Sequence, residues 1–467
     1  MLGNVSREAM RLTSPPNWIV YLQCVCFSIL FGVWVLPETI LVRHVCLILG
    51  ALSGLYVAYQ NRRFFLSTKA FPIWMLILLF AWALFHLFFL GQDFEVQWQE
   101  WTTIWKRSAI GLVFAVGLGL SLASQASASG NLTEPGKMSG PCTVSWQIIF
   151  IGLALPTLIY WVKFGAGILQ AGGLVDVWES LLLQKDASSR YFIHKSAYAF
   201  FCLPLLAVSL GRLYQLYLAS RLKSVEAIVY IACFFLVLFN FILEKDRNGE
   251  IYTLFLSLVF CGLLLKTHMS SFSRQKIVLV IIVALMPILA AVYQYHNNPQ
   301  WNSLFSDAEI AIQIDKYNNW QDQAALMPPK NSEGKQISGT NYERIAWGTA
   351  ALRLIGQNPL GYGLVERSFG HLGMKVWPQA KLHQSHSGWL DFTLGMGIPG
   401  ALLLLGAGVL AWAQTNKTQV PWGTLGWWGL SSLLLLLCTT ELSQKVYIDA
   451  LIFLTAMVAA LNINKRA

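Results

Sequence analysis

Residues 225–266 read VEAIVYIACFFLVLFNFILEKDRNGEIYTLFLSLVFCGLLLK. Two apolar runs, each near the ~20 residues a helix needs to cross a hydrocarbon layer, flank a turn that carries Glu244, Lys245, Asp246, Arg247 and Glu250. A backbone in lipid must satisfy its own hydrogen bonds, so this pattern predicts a membrane-spanning helical hairpin. The same pattern extends in both directions, with apolar segments at 18–36, 39–59, 71–91, 104–124, 146–164, 196–213, 277–294, 387–413, 422–438 and 446–462. The chain therefore reads as an all-α polytopic membrane protein with about twelve transmembrane helices, and an even number puts both termini on one side.

Composition agrees. Hydrophobic residues make up 55% and charged residues 12% of the 467 positions, and mean hydropathy is +0.53. The net charge of +10 does not point to nucleic acid, because the basic residues are scattered through short loops with no basic helix or aromatic-basic platform. The eight cysteines lie mainly in apolar runs and form neither a disulfide framework nor a metal-type CxxC pattern. Segment 18–36 is too long for a cleaved signal peptide and no cleavage site follows it.

Cytoplasmic loops carry the excess of Lys and Arg. Arg7, Arg11, Arg62, Arg63, Lys69, Lys137, Arg212, Arg221, Lys223, Lys266, Arg274, Lys276, Lys417, Lys465 and Arg466 fall in one alternating set of loops. The other short loops hold fewer: Lys185, Arg190, Lys195, Lys245, Arg247 and Lys445. The termini are thus expected inside, and 164–195, 244–247, 295–386 and 439–445 outside. Arg43, His44, Lys106 and Arg107, near the ends of the second and fourth segments, read as snorkelling side chains. Trp18, Trp98, Trp101, Trp105, Trp422, Trp427 and Trp428 read as an interfacial belt.

Three regions follow: helices one to nine in 1–294, an outer loop domain in 295–386, and helices ten to twelve in 387–467. The first half of the loop, with Asn297-Asn298-Pro299, Pro328-Pro329 and Gly334, reads as irregular chain. From Asn341, the residues Ile345, Ala346, Ala350, Leu352, Leu354 and Ile355 recur at helical spacing and predict an amphipathic helix over the membrane face, closed by Asn358-Pro359, Gly361 and Gly363.

The loop ends at HSGWLDFTLGMGIPG, residues 386–400. A histidine at the mouth of an apolar helix is a titratable group where lipid disfavours one. An arginine-bearing outer loop, a second arginine at an outer turn, a long loop with ERIAW…NPLGYG and this stretch together resemble the O-antigen ligase and O-antigen polymerase superfamily. The superfamily pattern of His, then Asn, Ser or Gln, nine residues, Gly, two residues, Gly is met by His386, Ser387, Gly397 and Gly400. A glutamate often found two residues before the first of these glycines is Gly395 here.

The resemblance implies a metal-independent, inverting glycosyltransferase without cofactor. It would move a glycan from undecaprenyl diphosphate to a sugar hydroxyl of the lipid A-core oligosaccharide, on the periplasmic face of the bacterial inner membrane. O-antigen polymerase and protein O-oligosaccharyltransferase remain open within the superfamily. His386 is then the general base, with Ser387 fixing its ring or capping the helix. Arg190 and Arg247 clamp the diphosphate through their planar forks, although Glu244, Asp246 and Glu250 compete for Arg247. Lys195 adds charge, and Arg344 reads equally as a phosphate ligand or a solvated partner of Glu343.

Outside the motif, His386 is a polar helix start. His383, His386 and Asp391 are too few for a metal site without a fourth ligand, and His383 reads as supporting or solvated. Arg353 and Arg367 read as structural, Gly361 and Gly363 as turn residues, and Trp389 as a possible sugar platform. A lipid-linked sugar transporter is the alternative outside the class, but the titratable residues gather at the outer face and the two halves show no repeat.

Overall fold

The computed structural model describes residues 12–129, 140–267, 274–297, 304–322, 329–330, 334, 336–415, 418, 420–442 and 445–462. Arg7, Arg11, Lys137, Lys417, Lys465, Arg466, Asn298, Pro299, Pro328 and the side chain of Lys276 lie outside the described residues. Helices α1 (Asn17–Trp34), α2 (Ile40–Gln60), α3 (Phe71–Phe85), α4 (Phe94–Glu100) and α5 (Lys106–Ser129) open the chain. They are followed by α6 (Pro141–Ala171), α7 (Lys195–Leu218), α8 (Val225–Leu243), α9 (Arg247–Lys266) and α10 (Arg274–Asn297). The segment that follows holds α11 (Leu304–Ala311), α12 (Gly339–Gln357) and α13 (Ser368–Val376), and α14 (Gly388–Gln414), α15 (Ser431–Leu436) and α16 (Lys445–Leu461) come last.

Among the described residues nine helices are long and apolar enough to cross a membrane, and no named strand occurs. Of the other three expected spans, α10 runs 24 residues, of which Ile277–Tyr293 is the described apolar stretch; apolar helix covers only Leu425–Leu436 in the second, and α16 is 17 residues long.

Burial explains the architecture. Helices α7 and α16 are apolar on every side, and almost every residue from Ser196 to Leu213 and from Val446 to Leu461 is buried. A helix apolar all round belongs inside a bundle, so these two form its axis, while α2, α3 and α9 show long apolar side chains to the lipid. Small residues allow close crossings: a Cβ at Gly117 of α5 would lie 2.1 Å from Gly54 Cα of α2.

Several charges expected at the surface are internal. Arg107 does not snorkel but pairs with buried Asp449, which also accepts from Ser108. Arg43 donates to the carbonyls of Val33 and Trp34 at 3.1 and 3.3 Å, closing the end of α1. Arg212, assigned above to a loop, is 1% exposed within α7, paired with Glu226 and set over the rings of Trp146 and Tyr230. Trp105, Trp422 and Trp428 are likewise buried and leave the expected belt, whereas Trp18 and Trp98 are exposed.

Part of the segment between α10 and α14 has a second core, built on Trp320, Tyr342, Ala346, Ala350, Leu354, Tyr362 and Leu364. The amphipathic helix is α12, which buries Ala346, Ala350, Leu354 and Ile355, leaves Ile345 half-buried and exposes Leu352. Helix α11 packs against α12, so the first half of the loop, expected to be irregular, contains regular structure.

Candidate functional site

The site lies at the end of the bundle where α6, α8 and α10 finish and α7, α9, α14 and α16 begin. Its scaffold is a glycine seam. Gly397 has φ +70° and ψ 177°, which breaks α14, and such a conformation is essentially restricted to glycine. The turn Pro359–Leu364 docks along the break: Tyr362 N donates to Leu394 O at 2.8 Å, Gly363 N to Gly395 O at 2.7 Å, and Ile398 N to Pro359 O at 2.8 Å. A Cβ at Gly395 would stand 2.0 Å from Leu364 O. The position that often carries glutamate in the superfamily therefore has no room for a side chain here.

Residues that the sequence did not single out hold the other side of this turn. The His86 ring nitrogen Nε2 is 3.1 Å from both Leu360 O and Gly361 O, and Gln97 Nε2 donates to Tyr362 O at 3.0 Å. Buried Glu100 accepts the amides of Val365 and Glu366. Gly361 and Gly363, at φ +87° and +97°, are turn residues as expected.

At the start of α14, Ser387 caps the helix at Leu390 N. Asp391, 4% exposed, accepts the Ser385 amide at 2.8 Å and its hydroxyl at 2.7 Å, tying down the residue before His386. His386 is left at φ +59°, a conformation uncommon outside glycine and one that surrounding structure must enforce. Its ring stacks on Trp347 with centroids 5.1 Å apart, and its Nδ1 is 3.2 Å from Oε2 of Glu441.

Glu441 is the principal residue missed in the sequence. It comes from the turn between α15 and α16, where Gly388 N donates to Thr440 O at 2.8 Å and Asn248 Nδ2 to Thr439 O at 3.0 Å. The turn thus joins the histidine helix to the arginine-bearing end of α9. Only 5% of Glu441 is exposed. Burial pushes its carboxyl up, but the hydrogen bond and charge of His386, with the charge of His194, outweigh this and bring it down to about 2.

Around the same carboxylate, Ser196 Oγ is 3.3 Å from Oε1, 2.6 Å from His194 Nδ1 and 3.2 Å from the Tyr447 hydroxyl. Burial, aided by Lys195 and His386, lowers the His194 pKa against the pull of Glu441. A lone carboxylate in an expected outer turn was the available signal for Glu441, and the histidine beside Lys195 was that for His194.

The expected cations are distributed unequally. Arg247 heads α9 beside Glu250 and feels the positive charge of Arg344, which is exposed on α12. Of its feared competitors, Asp246 instead caps α9, accepting the amides of Asn248 and Gly249 at 3.1 and 3.3 Å. Burial raises the Asp246 pKa to about 6 despite those amides and Lys195. Arg190 is 67% exposed and paired with Glu38 at 3.0 Å, so His194 rather than Arg190 carries this loop to Glu441.

His383 is exposed, with its carbonyl accepting from Gly370 N at 3.3 Å. Arg353 forms a fork with Asp315 at 2.6 and 2.7 Å. Trp389 donates its indole N–H to Leu434 O at 2.9 Å, and Trp347 is the ring beside His386. Among the described residues no group of three or more His, Cys, Asp or Glu side chains is arranged to hold a metal ion.

A helical bundle with nine candidate membrane spans among the described residues and a histidine–carboxylate pair at one end defines the class: a multi-pass membrane protein. Residues 232–405 match the family model described as O-antigen ligase, and the protein carries a domain of that family. The match encloses Arg247, Arg344, His383, His386, Ser387, Gly397 and Gly400 and leaves Arg190, His194, Lys195 and Glu441 outside. No curated protein and no solved structure matches the chain.

Proposed function

We propose that the protein is a glycosyltransferase of the O-antigen ligase type. It transfers a glycan from undecaprenyl diphosphate to a sugar hydroxyl of the lipid A-core oligosaccharide on the periplasmic face of the inner membrane. The observation that carries this reading is the His386–Glu441 pair: Nδ1–H donated to a buried carboxylate leaves the Nε2 lone pair to receive a proton, and the carboxylate stabilises the imidazolium that results. Glu441 is a positioning residue, acting through His386.

His386 removes the acceptor hydroxyl proton as that oxygen forms a bond to the anomeric carbon. The bond from that carbon to the diphosphate oxygen breaks, its electron pair leaves with the diphosphate, and the anomeric configuration inverts. Arg247, with Arg344 nearby, neutralises the departing charge. Arg190 joins when it exchanges Glu38 for a phosphate oxygen, with Lys195 adding positive charge. The reading calls on no metal ion. An apolar cavity of about 450 Å³ between α9 and α10, with Arg247 at its edge, suits the isoprenoid tail.

Purified protein in detergent, given lipid-linked glycan and lipid A-core, is expected to join them, with His386→Ala slowing transfer by roughly 10²–10⁴-fold. An unchanged rate in that variant sinks the base assignment, and a requirement for a sealed membrane favours a transporter. Lipopolysaccharide from a deletion strain separates the relatives. Bare core supports a ligase, core with one repeat a polymerase, and intact ladders with lost protein glycosylation an oligosaccharyltransferase.

A further inference from the structure

Two imidazoles meet on one carboxylate. His386 Nδ1 lies 3.2 Å from Glu441 Oε2, and His194 Nδ1 lies 3.9 Å from the other oxygen, Oε1. The Ser196 hydroxyl bridges His194 and Glu441, 2.6 Å from Nδ1 and 3.3 Å from Oε1, and the Tyr447 hydroxyl is 3.2 Å from the same Oγ. Ser196 and Tyr447 are buried, and the Tyr447 ring is stacked on Phe200 with centroids 4.3 Å apart, which keeps both hydroxyls away from bulk water.

A serine hydroxyl carries one proton and two lone pairs, so it cannot donate to His194 and to Glu441 at once. If Nδ1 of His194 is bare, it takes the serine proton along with the Ser196 amide at 3.3 Å. Oε1 then loses a donor, which is costly for a buried carboxylate. If Nδ1 carries a hydrogen, it donates to Oγ, the Tyr447 hydroxyl donates to the second lone pair, and the serine proton turns to Oε1. Each side-chain polar atom of the cluster that faces Glu441 then has a partner. What is given up is the amide contact, the longer of the two and one of the unpaired amides of any helix start. The negative charge of Glu441 also favours a hydrogen on the nitrogen nearest to it, and at 46% exposure the ring leaves Nε2 to solvent.

We infer that Ser196 and His194 are positioning residues for the transfer, an inference that rests on the reading of His386 as the base. His194 Nδ1–H donates to Ser196 Oγ, Ser196 donates to Glu441 Oε1, and Glu441 Oε2 accepts from His386 Nδ1–H. Donors on both oxygens fix the plane of the carboxylate, and with it the rotation of the His386 ring that aims Nε2 at the acceptor hydroxyl. The two donors belong to the starts of α7 and α14, so the chain of hydrogen bonds also ties those helix ends to the turn before α16. His194 and Ser196 act through Glu441 and carry no proton of the reaction. Both lie outside the stretch that the family model matches.

The test uses the full chain in detergent with lipid-linked glycan and lipid A-core. Ser196→Ala and His194→Ala are each expected to lower kcat roughly 5–30-fold with little change in KM, and the two together no further than either alone. In the Glu441→Gln background neither should lower it more. Ser196→Thr, which keeps the hydroxyl, and His194→Asn, whose amide N–H stands in for Nδ1–H, are expected to keep most of the rate. Because asparagine also caps helices, the tautomer is read directly. Nitrogen NMR spectra of histidine-labelled protein, recorded above the imidazole titration range, should show His194 with its hydrogen on Nδ1, the signal being assigned by its loss in His194→Asn. A hydrogen on Nε2 instead, a wild-type kcat in Ser196→Ala, or losses that persist in Glu441→Gln would each overturn the inference. Transfer that depends on His386 and Glu441 but not on Ser196 or His194 removes these two residues and leaves the proposed function standing. An unchanged rate in His386→Ala removes the base, and their role with it, whatever the tautomer.

Discussion

At the residue scale, the informative unit is a histidine held by a carboxylate 55 positions later in the chain. Groups that act as one unit lose activity non-additively. Glu441→Gln is therefore expected to lower kcat by roughly 10–100-fold with little change in KM, and to add nothing to His386→Ala in the double variant. Steady-state kinetics on the four proteins checks this, and additive losses would show that the two act separately. The carboxyl of Glu441 is held at about 2, below its unfolded value of about 4.3. Its contribution to stability is thus present above about pH 4.3 and lost as pH falls toward 2. Thermal unfolding should show the deficit of Glu441→Gln at pH 7 shrinking as pH drops below about 4, whereas a deficit independent of pH would contradict the pairing.

At the scale of elements, the glycines of the motif act through the backbone. Gly397 lets α14 break so that Leu394, Gly395 and Ile398 can pair with the 359–364 turn. A Cβ there would lie 2.3 Å from the Leu360 carbonyl carbon. Gly397→Ala is expected to cost at least ~1–3 kcal/mol of conformational strain, with the clash in addition. It should lower the melting temperature and increase hydrogen exchange at Tyr362 and Gly363. Unchanged exchange at those amides would show that the seam does not depend on this conformation. The spacing of these glycines was legible in the sequence, but their partner was not, because main-chain pairing leaves no side-chain signature.

At the scale of the whole molecule, sidedness is the property to test. Ser188 and Lys223 are exposed in loops at opposite ends of α7. In a cysteine-free background, Ser188→Cys is expected to react with a membrane-impermeant maleimide in intact spheroplasts, and Lys223→Cys only after lysis. The reverse pattern would invert the topology and put His386 in the cytoplasm. Apolar runs located nearly every helix along the chain, yet two of them, Leu425–Leu436 and α16, were too short to count as spans, since hydropathy reports the solvent and not where a hydrogen-bonded ladder stops. Arg107, Arg212, Trp422 and Trp428 illustrate the same limit: near a helix end in sequence, each finds a protein environment in the bundle.

By itself the sequence determined the membrane class and most of the helical elements, and it singled out the histidine of the motif, because apolar length and residue spacing are local quantities. It also pointed to Arg247 and to the cap at Ser387. Only the tertiary structure decided that His386 meets Glu441, that Arg190 rests on Glu38 and that Gly395 has no space for a side chain. Those outcomes depend on which helix ends pack together across hundreds of residues, and burial and hydrogen-bond distance, not spacing along the chain, select the partners.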